Sequence, residues 1–371
     1  MLHQLLISVP MMICLFWGVF FLVRCCMPDK EPRVTRTLLL FYTAAAVLYF
    51  DHALYFSGLR NAWGEWSYGI VNLCVYPIYY AYLRALTRAP RGWEVPVLLI
   101  PALLAALLIP AARFGGWMEF RTLYIIVRIC FFIQVVWVLV RGSQLLIGTI
   151  RRMDNTYSDY RSRILRPTHI SLILFGATAA VSMILNFMGR DSFVGQTNVA
   201  VPAAVMSILL FGLGFIAAHT ALPQETVMQE EETGQDEATT AETDELMHKI
   251  ATAMREQKLF ADPKLTIQDL AAAVNSNRTY VSNCINRRTG LSFSQYVARY
   301  RVEHAQAVLR DKRYTSDHDA LADAIALNGF SSDQNFYRAS KTPPASPPSS
   351  TANKRPKSDF QRLKNADLYD L

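Results

Sequence analysis

Apolar and polar positions divide this chain into two regimes. Residues 1 to 217 hold seven runs with little polar interruption, Leu5–Val23, Thr37–Ser57, Ser67–Leu86, Trp93–Ala112, Thr122–Val140, Thr168–Met188 and Thr197–Ala217. Each approaches the roughly 20 residues a helix needs to cross a hydrocarbon core. A large soluble helical core would show an amphipathic period, whereas these runs are apolar all round. Trp63, Trp66, Trp93 and Trp117 stand at run ends, where an aromatic belt places them. From about residue 246 the pattern changes to short helical periods broken by turn residues. The expectation is an all-α chain: a polytopic seven-helix membrane domain followed by a soluble helical domain.

Composition sharpens the division. The first 220 residues carry 18 Lys and Arg against 9 Asp and Glu, residues 222–245 carry nine acids and no base, and the remainder carries 19 bases against 12 acids. The formal net charge of +7 is therefore two basic regions around an acidic strip. Basic loops suit an anionic membrane surface and a basic domain suits nucleic acid. The strip Leu222–Asp244 is polar and poor in aromatics, which predicts a disordered linker. As a flexible coil its 23 residues would span roughly 25 Å root-mean-square.

Loop charge sets an orientation. The loops after the first, third and fifth runs hold 13 bases, among them Arg24, Arg33, Arg84, Arg88, Arg141 and Arg152, whereas the other loops hold only Arg60, Arg113, Arg121 and Arg190. That puts the N-terminus outside and the C-terminus in the cytoplasm. Met1 to Gln4 lack the positive n-region of a cleaved signal peptide. The six cysteines give neither a disulfide framework nor metal-ligand spacing and are expected to be packing thiols.

Ionisable or amide side chains in hydrocarbon are costly and so are candidates for function. Asp51, His52, Asn72, Arg128 and Asn186 all fall in the outer half of the predicted spans, where they would suit a small polar ligand. The structural alternative pairs Asp51 with Arg128 and bonds the Asn groups between helices. No paired acids, nucleophile motif or metal set accompanies them, so no enzyme is expected and no cofactor is implied.

The soluble part has helix–turn–helix grammar. Leu265, Ile267, Leu270, Ala271 and Val274 recur at helical spacing, predicting a first helix over Thr266–Val274. Asn275 suits the left-handed turn, Ser276 or Asn277 can cap a second helix, and Gly290 ends it. On that helix Tyr280, Val281, Cys284 and Ile285 form the inward face and Arg278, Thr279, Ser282, Asn283, Asn286 and Arg287 face out. Donors and bases on one exposed face are what a major-groove reader needs; a plain solvated surface would also account for them. A long helix from about Phe293 to Arg310 follows, with Tyr296, Val297, Tyr300, Val302, Ala305 and Leu309 as its stripe. A second unit comes next: helix Ala320–Leu327, turn Asn328-Gly329-Phe330, and a helix from Ser332 bearing Phe336 and Tyr337.

Two such units joined by one long helix resemble the AraC/XylS family of transcription regulators. The resemblance is carried by LTIQDLA, NRTYVSNCINRRTG, SFSQYVARYRVEHAQAVL and NGFSSDQNFYRASK, over about 95 residues. The preceding DELMHKIATAMREQKLFADPK looks like the leading helix of membrane-anchored members from Bacteroidetes-type bacteria. The resemblance implies double-stranded DNA as partner, with two recognition helices one DNA turn apart, about 34 Å. By position, Arg278, Thr279, Ser282 and Asn283 would face DNA from the first unit, and Asp333, Gln334, Asn335 and Arg338 from the second; Arg287 would meet phosphate. With the apolar runs and the acidic strip, four segments are expected: residues 1–221 in the membrane, 222–244 as linker, 245–341 on DNA as the resemblance implies, and 342–371 as a disordered, Pro/Ser-rich basic tail. Membrane lipid, an unidentified small-molecule or protein signal, and a second copy in a homodimer complete the expected partners. A transporter or membrane enzyme carrying an inert DNA-binding domain is the alternative.

The tail departs from the family, which closes this helix with Phe-Lys, a Gly four residues on, Thr-Pro and Tyr-Arg. Here Ser340-Lys341 is followed by TPPASPPSSTANKRPKSDF, which cannot continue a helix. Codons for Ser340 to Ala352, read one base earlier, permit Phe-Lys-Asn-Ala-Thr-Gly-Ile-Thr-Pro-Ile-Ile-Tyr-Arg. A frameshift is therefore the reading preferred here. The alternative is a native basic tail with Lys354, Arg355 and Lys357 on phosphates.

Overall fold

The computed structural model describes residues 2–29, 31–56, 62–90, 92–115, 120–158, 165–188, 200–219, 240–310 and 329–330. Two compact units emerge: residues 1–152 with 161–231, and residues 153–160 with 232–371. Every described element is helical, apart from an isolated bridge between Tyr157 and Thr266.

The first unit contains α1 (Leu2–Cys25), α2 (Pro32–Phe56), α3 (Ala62–Leu86), α4 (Glu94–Gly115), α5 (Phe120–Thr156) up to Arg152, α6 (Leu165–Met188) and α7 (Ala200–His219). Each apolar run is thus a helix. Pro10, Pro77, Pro101 and Pro110 lie inside these helices, which apolar helices tolerate when neighbours re-satisfy the freed backbone groups. The helix of α5 runs on past the expected end of the crossing at Val140, to Thr156. The extension is amphipathic: Leu146 and Met153 are buried, and Arg141, Arg151 and Arg152 are exposed.

Among the described residues, four helices are long and apolar enough to cross a membrane, over Ser8–Cys25, Pro32–Tyr55, Glu94–Ala111 and Ile125–Thr156. α3 falls short of that measure because Glu65, Asn72, Arg84 and five tyrosines dilute its apolar character. Within the described residues of α6 and α7 the apolar stretches run over Pro167–Ala177 and Ala203–Ala218. Large apolar side chains nevertheless face outward on most of these helices, including Phe16, Leu40, Leu107, Ile133, Ile170 and Ile208. Contiguous exposure of this kind is rare on a soluble monomer and marks a membrane or partner surface.

Inside, a cluster of aromatic rings stands beside an aliphatic cluster that includes Leu73, Ile109, Leu123 and Val135. Trp17, Phe21, Phe41, Tyr42, Tyr79 and Phe175 are all buried and in ring contact. α1 packs on α2 and α7, α2 on α3, and α3 on α4. The Tyr42 hydroxyl donates to the Leu210 carbonyl at 2.8 Å, joining α2 to α7. Gly214 of α7 lies against the Trp17 ring, where a Cβ would approach ring carbons to 2.3–2.4 Å. Small residues permit such close helix approach in lipid. Gly214→Val should separate α1 from α7 and lower the melting temperature of the detergent-solubilised protein by several degrees; an unchanged melt would show that the helices do not meet there.

Charged groups gather where helices begin and end. Arg24, at the end of α1, pairs with Asp29 at 3.5 Å, and Arg88 just after α3 pairs with Glu31 just before α2 at 2.5 Å. Glu94, at the start of α4, pairs with Arg84 near the end of α3 and with Arg141 of α5, the latter at 2.9 Å. The Tyr80 hydroxyl also donates to it, at 3.0 Å. Burial works against the Asp29 charge, but the Thr35 hydroxyl, the Glu31 amide and Arg24 together hold its carboxyl below the ordinary value. These pairs join two of the three loops rich in predicted cytoplasmic bases, after α1 and after α3, into one rim.

The second unit begins with α8 (Thr240–Glu256). Residues 240–244, expected in the linker, are therefore helical: Thr240 to Asp244 add a turn ahead of the amphipathic LMHKIATAM segment, and Arg288 ion-pairs with Asp244 at 2.6 Å. A 3-10 turn at Leu259–Ala261 leads to α9 (Ile267–Ala273), α10 (Arg278–Thr289) and α11 (Phe293–Arg310). Ile250 and Met254 of α8, Leu270 of α9, Val281 and Ile285 of α10, and Phe293 and Val297 of α11 share one buried core.

Candidate nucleic-acid interface

Local chemistry fixes the ends of both helices in the first helix–turn–helix unit. Thr266 caps α9 in extended backbone and forms a reciprocal box with Asp269: the Asp269 amide donates to the Thr266 hydroxyl at 3.3 Å, and the Thr266 amide donates to the Asp269 carboxylate at 2.8 Å. Asn275 makes the turn at φ 52°, in the left-handed region that Asn tolerates. The Asn277 side chain caps α10 by accepting from the Tyr280 amide at 2.8 Å. Gly290 closes the helix at φ 67°.

These caps orient α10. Val281, Cys284 and Ile285 are buried. Thr279, Asn283 and Arg287 are exposed at successive turns on the opposite face, with Arg278, Ser282 and Asn286 half-buried beside them. The Asn286 amide lies 3.5 Å from the Ser282 hydroxyl. Tyr280 corrects the sequence expectation by being only half-buried. At about 100° per residue, it falls on the margin of the stripe set by its three buried neighbours. Arg288 is engaged with Asp244 and so stands apart from the outward set. Burial pushes the Cys284 thiol up, with Asp244 adding to the shift and Arg288 opposing it; its Sγ lies 3.3 Å from the Thr243 carbonyl. This sulfur is a packing group and not a thiolate.

α11 holds a residue that the sequence pattern missed. Arg301 is 1% exposed. Its guanidinium donates to the Phe260 carbonyl at 2.7 Å, the Asp262 carbonyl at 2.7 Å and the Ser158 hydroxyl at 3.0 Å. The Phe330 ring lies 5.8 Å from its Cζ. Tyr300 and Val302, expected on the stripe, are half-buried instead, because the inward face turns toward Arg301. Leu309 lies on α11, but its side chain is outside the described residues. Gly329 has φ 74°, and a Cβ there would lie 2.6 Å from the Phe260 and Ala261 carbonyl oxygens. Only glycine fits. The expected turn at Gly329-Phe330 therefore sits against the domain core. Asp333, Gln334, Asn335, Arg338 and the tail lie outside the described residues.

The polar groups among the apolar helices are partly brought together. The Ser67 hydroxyl of α3 donates to Asp51 of α2 at 2.8 Å, and Asp51 is 7% exposed. His52 packs edge-on to Tyr68 at 5.0 Å and its Nδ1 lies 3.0 Å from the Leu48 carbonyl. Asn72 lies further along α3 and is half-buried; Arg128 is half-buried on α5. The Asn186 side chain lies outside the described residues. Ser67 and Tyr68, at the edge of an apolar run, were not singled out from sequence, since hydroxyls there read as ordinary helix-start residues.

A family described as a helix-turn-helix domain matches residues 270–354, from within α9 through α10 and α11 and on past Lys341. The family is of the AraC type, and its match supports a DNA-binding domain in this part of the chain. No curated protein and no solved structure matches the chain.

Proposed function

We propose that this chain is a membrane-bound, sequence-specific transcription regulator. Seven spans hold it in a bacterial inner membrane with the N-terminus outside, and the DNA-binding domain works in the cytoplasm. A signal received by the membrane unit alters promoter binding, and a homodimer is the working form. The observation that carries this reading is the outward face of α10. Thr279, Asn283 and Arg287 stand exposed on successive turns of a helix capped at both ends, in a chain whose first unit exposes large apolar side chains on most of its helices.

In this reading Arg278, Thr279, Ser282 and Asn283 read base edges from the first unit, and Asp333, Gln334, Asn335 and Arg338 from the second. Asp51, His52, Asn72, Arg128 and Asn186 receive the signal, with the Asp51–Ser67 bond supporting a polar cluster between α2 and α3. The tail beyond Lys341 is proposed to be the product of a one-base shift, which resequencing the gene decides.

The test is selection from a random DNA library by the full chain in lipid nanodiscs, followed by titration of the recovered site. Asn283→Ala and Ser282→Ala should each weaken that site by about 1–3 kcal/mol per lost base contact and leave random DNA nearly unaffected. Arg287→Ala should weaken all sequences alike and flatten the salt dependence. Equal losses on selected and random DNA for every variant would reduce the domain to a non-specific anchor.

A further inference from the structure

The first helix of the helix–turn–helix unit is held by a segment from far outside the domain's own stretch of sequence. α5 has 37 residues, about 55 Å at 1.5 Å per residue, against roughly 30 Å for a hydrocarbon core. Its last residues belong to the second unit. There Met153 is 7% and Ser158 3% exposed. Tyr157 forms an antiparallel bridge with Thr266, and the Ser158 amide donates to the Leu265 carbonyl at 3.0 Å. The Ser158 hydroxyl accepts from Arg301. The segment therefore touches the cap of α9 and the buried cation of α11 at once. α9 in turn shares its core with α10: Leu270 and Ala271 are buried in the same cluster as Val281 and Ile285.

We propose that Met153–Ser158 is a transmission strap, through which a displacement of α5 reaches the α9 cap and the Arg301 side chain and so changes how α10 is presented. The proposal rests on the regulator reading above. A continuous helix carries axial displacement along its length without needing a chain of separate contacts. Helix shifts of about 1–2 Å are ordinary in switching proteins. Backbone hydrogen bonds ordinarily lie between about 2.7 and 3.2 Å, so a shift of about 1–2 Å from the 3.0 Å seen here is enough to part Ser158 from Leu265. The Thr266–Asp269 box keeps α9 capped when the strap leaves. The result is a change in packing and not local unfolding.

The test locks the strap covalently. Opposed residues of an antiparallel pair have Cα atoms about 4.5–5.5 Å apart, within the separation a disulfide accepts. The full chain carrying Tyr157→Cys and Thr266→Cys is placed in nanodiscs, oxidised, and the joined peptide pair identified by mass spectrometry. Affinity for the selected DNA site is then compared between oxidised and reduced forms of that same protein, which cancels the loss of the Thr266 cap. Each single-cysteine variant controls for oxidation at Cys25 and Cys26, which are exposed. The expected result is a cross-link and a change in affinity of about 5–150-fold, the usual range of coupling between sites, with the single variants insensitive to oxidation. Absence of the cross-link overturns the strap. A cross-link with equal affinity makes the contact a static brace and also overturns it. A chain that selects no DNA with the strap free or locked overturns the regulator reading itself, and the strap with it.

Discussion

A phosphatase reporter fused after residue 220 should be inactive in intact cells, and one fused after Arg60 should be active. The enzyme acquires its disulfides only on the oxidising side of the membrane, so the contrast is close to all-or-none. The expectation begins with the 13-to-4 split of basic residues between alternate loops. It gains support from the rim, where the loop after α1 and the ends of α3 and α4 share the Arg88–Glu31 and Arg84–Glu94 pairs. Helices that run alternately up and down place those particular ends on one side. The positive-inside rule counts Lys and Arg with little weight for acids, so Glu31 and Glu94 do not reverse it. The opposite reporter pattern would put the DNA-binding domain outside the cell and end the regulator proposal.

Arg301→Ala should destabilise the second unit more than any change on its outward face. The side chain is buried and donates to two main-chain carbonyls and a hydroxyl. Removing it leaves the buried Phe260 carbonyl without its donor, at about 1–3 kcal/mol, deprives the part-buried Asp262 carbonyl of its own, and opens a void beside Phe330. A loss of about 3–5 kcal/mol follows. Hydrogen exchange on the full chain in nanodiscs should show protection of the globally exchanging amides in α9 and α11 falling by about 10²–10³-fold or more, since each tenfold is about 1.4 kcal/mol. Arg301→Lys should recover only part of this, because an ammonium cannot reach three acceptors with the fixed fork of a guanidinium. Unchanged protection in Arg301→Ala would mean that the carbonyls find other donors.

The parts of this molecule legible in its sequence are those decided within one turn of chain. Thr266 with Asp269, Asn275, Asn277 and Gly290 each set their own backbone, and α11 runs over the expected Phe293–Arg310. Arg301 was not legible. An arginine in a helix reads as surface, and its burial depends on carbonyls about 40 residues away and on a hydroxyl 143 residues away. The end of α5 was misjudged for a similar reason: Arg141 and the Gly142-Ser143 pair resemble a stop, whereas Leu146 and Met153 find burial that extends the helix. Among the apolar helices, the pattern of the sequence reads α3 as a span, but Tyr79, Tyr80 and Tyr82 are buried in the interior, so composition alone does not say whether it meets lipid. The outward face of α10 was readable as a face; which bases it meets is a property of DNA as much as of the chain.

The contact between Gly214 and Trp17 also has a bearing on how the membrane unit is made. α1 emerges first and α7 last, and the Arg24 side chain bonds a carbonyl 194 residues further on. At synthesis rates of about 5–20 residues per second, roughly 10–40 seconds separate the two. Throughout that interval Trp17 and Tyr42 have no α7 to pack against, and the nascent bundle waits open along one side. Its closure is a late event of biogenesis, and insertases or quality-control proteases that survey half-built bundles have that interval in which to act.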